Sequence, residues 1–310
     1  MVPSTAKTIT MHRAERAILS YRTRVALAQV PRGKPNRKKR PANLRQGPPV
    51  TVGTLADDTA RLHAISAMID ANNAHRRRYV KLDKLGIHRP RHFLFTGCYD
   101  DGLIIGDTIT EMQIDRVIDK TYRLIRDMGL HGVFALQIVG IRDERDNTYH
   151  VWLHVHGLTF TQNIDFTPVK TAKALSQRRA YPNTLGAPSI TLRSRKHSAR
   201  LFRNKQAPFY KFAYRNLKLD QTKASLSHLA YYILHPPEFM LKLVPSKTDP
   251  AKGKLRSNKG DYPAWLANRI HQLENQIPLV KAVFSVGQGK EIRSMWKRLY
   301  VANCNLVDRC

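Results

Sequence analysis

His154 and His156 stand one residue apart inside the apolar alternation TYHVWLHVHGLTF over residues 148–160. On a strand, residues i and i+2 leave the same face, so both imidazoles can offer a ring nitrogen to one divalent ion. His150 and Trp152 share that face. Further along, Tyr231 and Tyr232 precede His235, and Pro236 and Pro237 follow. A phenol with a pKa near 10 is a poor nucleophile at neutral pH, and a metal ion that polarises its target makes up the deficit. A metal-binding pair and a phenol are together the parts required for phosphoryl transfer to an enzyme hydroxyl. An H-x-H pair alone also suits a packed or exposed strand, and Tyr232 alone also suits a core helix or a stacking surface.

Positioning these groups requires a sheet and a helix. Residues 92–99 (HFLFTGCY) form a short apolar run closed by Asp100, Asp101 and Gly102, as expected of a central strand and turn. Thr108 to Glu111 has the S/T-x-x-E form of a capping box, and Ile114, Val117, Ile118, Ile125 and Met128 follow at helical spacing up to Gly129. Residues 132–141 (GVFALQIVGI) read as a strand buried on both faces and interrupted only by Gln137, joined by the polar RDERDN to the histidine strand. A helix over 221–234 carries the apolar stripe Leu226, Leu229, Ala230 and Ile233 and stops at the proline pair. Residues 54–84 are a further expected helix, with Leu55, Leu62, Ile65, Met68 and Ile69 at helical spacing. Short helices are expected near 262–275 and 289–300.

The chain has 310 residues and a formal net charge of +30, unevenly spread. Residues 1–50 hold 12 basic and 1 acidic side chain, residues 91–165 hold 7 and 11, and residues 166–310 hold 27 and 7. A near-neutral middle thus lies between basic flanks, which suits a polyanionic partner, above all nucleic acid. The arm around KPNRKKRP (34–41) can track phosphates. The stretch 170–218 mixes Arg193, Arg195, Lys196, Arg200, Arg203 and Lys211 with Phe202, Phe209, Tyr210, Phe212 and Tyr214, a mixture suited to backbone tracking and base stacking on single strands. Three cysteines, at 98, 304 and 310, are too few for a disulfide framework and fit a reducing compartment. With no apolar run of membrane-spanning length and no secretory leader pattern, the expectation is a cytoplasmic protein with no membrane partner.

In their order, the apolar strand at 92–99, the His154-Val155-His156 strand and the helix with Tyr232 three residues before His235 resemble the HUH endonucleases, in particular the rolling-circle replication initiators of plasmids and phages. The resemblance covers roughly residues 90–240. It implies an α+β fold: an antiparallel central sheet of ferredoxin-like topology, helices on one face and the tyrosine helix across the site. The expected organisation is a basic flexible arm over 1–53, a basic helical segment over 54–90, an HUH-like endonuclease domain over 91–240 and a basic helical extension over 241–310. The implied reaction is attack by Tyr232 on single-stranded or hairpin origin DNA, with Tyr231 the alternative nucleophile, leaving a 5′-phosphotyrosine link and a free 3′-OH. The implied cofactor is Mg²⁺ or Mn²⁺ held by His154 and His156, with Gln137 or His150 as third ligand where the family commonly has Glu. His235 replaces the family's Lys after the tyrosine. The absence of a GxxxxGK[ST] loop argues against an attached helicase, and a host polymerase and helicase are the expected partners. A relaxase or single-tyrosine transposase uses the same chemistry, and a non-enzymatic nucleic-acid-binding protein is the rival of a different class. A metallo-β-lactamase-like H-x-H-x-D-H is excluded, since Gly157, Leu158 and Thr159 follow the pair. A cupin site would need a later Glu and His that this chain lacks in such a setting.

Overall fold

In the computed structural model, a thirteen-residue and a fourteen-residue strand form the centre of the molecule: β3 (His131–Asp143) and β4 (Thr148–Thr161), paired antiparallel from His131↔Phe160 to Asp143↔Thr148. The structure describes residues 10–20, 25, 53–83, 90–163, 165–176, 183, 190–194, 230–237, 240–245, 253–257 and 262–307. The described elements, in chain order, begin with helix α1 (10–20), α2 (Asp58–Asp83), β1 (Arg91–Gly97), β2 (Leu103–Ile104) and α3 (Glu111–Asp127). After β3 and β4 come α4 (Pro168–Ser176), β5 (Ile190–Ser194), helix α5, described over 230–234, β6 (Leu241–Pro245) and β7 (Gly253–Ser257). The chain closes with α6 (Ala264–Glu274), α7 (Leu279–Ala282), β8 (Val283–Val286) and α8 (Gly289–Val307). The architecture is mixed α+β, with a curled, partly antiparallel sheet of order β5-β1-β4-β3-β6-β7. β2 extends the β1 edge of β4, and β8 joins β3.

The expected strands at 92–99, 132–141 and 148–160 match β1, β3 and β4 to within one or two residues. The helical tail expected from 241 is only part of what the chain does there. β6 runs parallel to β3 at 141–143 and β8 antiparallel to it at 132–135, so the tail completes the sheet beside the histidine strand. The helical cap at 108–111 also differs: Thr110, not Thr108, is the N-cap, and its hydroxyl accepts the Gln113 N–H at 3.1 Å. The side chain of Gln113 does not turn back to close the box. It donates to the carbonyls of Asp101 and Leu103, fastening α3 to the turn after β1. No helix among the described residues is long and apolar enough to cross a membrane.

α2 presents Ala60, Ala64, Ala67 and Ala71, all fully buried, at helical spacing, and this smooth ridge lets α8 lie close against it. Trp296 of α8 donates its indole N–H to the Ala64 carbonyl at 3.1 Å and stacks on Tyr300. Beside them the guanidinium of Arg61 meets the carboxylate of Glu274 on α6 at 2.8 Å, both side chains at most 2% exposed.

Gly157, next to His156, lies opposite both Phe95 of β1 and Phe134 of β3. The two rings meet edge to face at 5.7 Å, and a Cβ on Gly157 would stand 2.2 Å from the Phe134 ring. This missing side chain lets three strands keep register beneath the histidines. Gly157→Ala is expected to destabilise the protein by about 1–3 kcal/mol, the usual cost of overpacking; urea unfolding measures it, and a change under about 0.5 kcal/mol would show that the rings move aside freely.

Candidate functional site

The pleat of β4 places His154 and His156 on one face, with Gln137 of β3 the direct cross-strand partner of His154 and Thr96 of β1 that of His156. All three of His154, His156 and Gln137 are buried. Deeper along the same face a small apolar cluster of Cys98, Val139, Ile141, Trp152 and Leu243 closes the site from below, with the Trp152 indole donating to the Tyr99 carbonyl at 2.6 Å. The buried Cys98 thiol is pushed up to about 12, chiefly by burial, and is a packing group rather than a nucleophile.

The two imidazoles converge. Their Nε2 atoms are 3.0 Å apart and the rings are nearly perpendicular. Thr96 Oγ1 lies 3.0 Å from Nδ1 of His156. In the tautomer in which Nδ1 carries the proton, Thr96 accepts it and Nε2 presents its lone pair outward, the arrangement of a ligand fixed by its neighbour. Thr96 was not among the residues singled out from the sequence; its place on the alternate face of β1, opposite the second histidine, is the signal that finds it. His154 is held well below the usual imidazole range, at about 3, first by burial and second by the nearby charge of His235. Its ring is therefore neutral, with one nitrogen protonated and the other carrying a lone pair; at 3.0 Å the two Nε2 atoms are within hydrogen-bond distance of each other.

α5 brings the phenols. Tyr232 is partly buried, with its ring centroid 5.1 Å from that of His156 and 4.5 Å from that of His235. His235 in turn lies 5.8 Å from His156, and its Nδ1 is 2.5 Å from the Pro236 carbonyl. Tyr231, by contrast, is fully buried in the main core, with the Arg13 guanidinium of α1 over its ring at 5.3 Å. Of the two adjacent phenols, Tyr232 is the one beside the pair. Gln137 is reached from the helix side: its Nε2 donates to the Ile233 carbonyl at 2.7 Å and the Tyr232 carbonyl at 3.2 Å.

His150, weighed as a third ligand, lies outside this cluster. Its Nε2 is 3.0 Å from Thr148 Oγ1, and buried Trp152 intervenes between it and His154 on the strand. Arg193 falls on β5, opposite Leu94 of β1. Arg195, Lys196, Arg200, Arg203 and Lys211, and the first nine residues of the expected 221–234 helix, lie outside the described residues.

Among the described residues no set of three or more His, Cys, Asp or Glu is grouped to hold a metal ion. The pair itself fits one. Two nitrogens 3.0 Å apart subtend about 90° at a cation with bonds of about 2.1 Å, the adjacent positions of an octahedron, whereas a tetrahedral pair would need about 3.4 Å. Comparison with protein-family models, with curated proteins and with solved structures returned no match.

Proposed function

We propose that this protein is a single-strand DNA nickase of the HUH endonuclease type, acting as a rolling-circle replication initiator. The reading is supported above all by one juxtaposition: two buried imidazole nitrogens converge 3.0 Å apart, and the ring of Tyr232 lies beside them. The net charge of +30 supports a polyanionic substrate.

In this reading His154 and His156 would hold Mg²⁺ or Mn²⁺. The cation, when bound, neutralises charge on the non-bridging oxygens of the scissile phosphate. The Tyr232 oxygen attacks phosphorus, and the bond between phosphorus and the 3′ oxygen breaks. The phenolic proton passes to His235 or to solvent, and the departing 3′ oxygen takes up a proton. The products are a 5′-phosphotyrosine link and a free 3′-OH, which a host polymerase can extend and to which a host helicase would supply template. Trp152 and its apolar cluster would keep water from the strand face beyond His154.

Incubation with single-stranded or hairpin DNA and Mn²⁺ is expected to give a covalent protein–DNA adduct that survives denaturing electrophoresis and is lost with EDTA. Tight retention of DNA with neither adduct nor nick would replace the nickase by a non-enzymatic binding protein.

A further inference from the structure

The last turn of α5 carries a backbone problem set by sequence alone. In a helix the carbonyl of residue i accepts from the N–H of residue i+4. For Tyr232 and Ile233 those donors would be residues 236 and 237, and both are prolines, which have no N–H. Pro236 and Pro237 are buried, so water is a poor substitute. The side-chain amide of Gln137 donates to both carbonyls, at 3.2 Å to Tyr232 and 2.7 Å to Ile233. Gln137 stands directly across from His154 on the neighbouring strand.

We infer that Gln137 is a positioning residue: its carboxamide supplies the two hydrogen bonds that the Pro236–Pro237 pair deletes, and so latches the tyrosine helix to the histidine strand. The place at which the resemblance implies a metal ligand serves first as a fastener. A glutamate there would put a carboxylate against two carbonyl oxygens, acceptor against acceptor. That repulsion would free the turn carrying Tyr232 even though the new side chain is the better metal ligand. The helix end would also lose its fixed distance to the pair, because these two hydrogen bonds tie it to β3.

The role in catalysis rests on the nickase reading; the latch itself does not. Two variants separate the cases: Gln137→Glu, equal in size but unable to donate when ionised, and Gln137→Met, similar in length without polar atoms. Three quantities are measured on the full chain: amide hydrogen exchange of the peptide over 230–237, Mn²⁺ affinity by electron paramagnetic resonance, and single-turnover adduct formation against DNA concentration. Both variants are expected to exchange at least about tenfold faster over 230–237, while peptides from β3 and β4 stay protected. Adduct formation is expected to slow by at least about tenfold, with half-saturating DNA and, for Gln137→Met, Mn²⁺ affinity within about threefold of the parent. Unchanged exchange in both variants overturns the latch, and so does a Gln137→Glu protein that forms adduct as fast as the parent or faster. If the parent forms no adduct at all, the nickase reading fails and the exchange result still decides the latch.

Discussion

Tyr232→Phe is expected to abolish adduct formation with single-stranded DNA, by at least about 10³-fold, the scale on which removal of a nucleophile acts. The phenylalanine ring keeps the packing against His156 and His235, so folding and DNA retention should stay close to the parent. Tyr231→Phe is the matched control. Its ring is fully buried under the Arg13 guanidinium, and the substitution keeps that ring, so adduct formation should change by no more than about threefold. The measurement is denaturing electrophoresis of labelled oligonucleotide with each variant. Loss of adduct in Tyr231→Phe with retention in Tyr232→Phe would show that the wrong phenol has been chosen. Adduct in both would show that neither tyrosine is the nucleophile.

The largest effect on stability is expected from Glu274→Ala. Its carboxylate and the Arg61 guanidinium are 2.8 Å apart, and both side chains are almost wholly out of water. Removing one partner strands the other as an uncompensated buried charge, at a cost of about 3–5 kcal/mol. Replacing both together, as in Arg61→Met with Glu274→Leu, should recover much of that loss, since the desolvation cost of the pair disappears with it. Chemical denaturation of the two single variants and the double variant measures this. A single-variant loss below about 1 kcal/mol would mean that the surviving charge reaches solvent.

Much of the centre of the fold was legible in the sequence because its signals are local. β3 and β4 are long apolar runs bounded by a polar turn, and the alternation in β4 by itself places His154 and His156 together. The tail was not legible. β8 is four residues long, and β6 owes its strand state to parallel pairing with β3, a contact between distant segments that no local periodicity reports. The cap at Thr110 escaped notice because Thr108 offers a closer match to the S/T-x-x-E pattern, while the fold recruits the Gln113 side chain for the neighbouring turn. At the site, the alternation of β3 puts Gln137 on the histidine face, but nothing in that alternation says that a helix end would arrive above it. The doubled proline did carry that information, since it announces two carbonyls in want of donors.

β4 is paired with β3 along almost its whole length and, on its other edge, with β1 and then β2. A strand so enclosed has little freedom to spread its pleat, so the Cα positions from which the two imidazoles project are fixed by backbone pairing. If the pair holds a cation as proposed, its 3.0 Å spacing suits bonds of magnesium length better than calcium bonds of about 2.3–2.6 Å. In the proposed role, the pair would therefore favour the smaller ion.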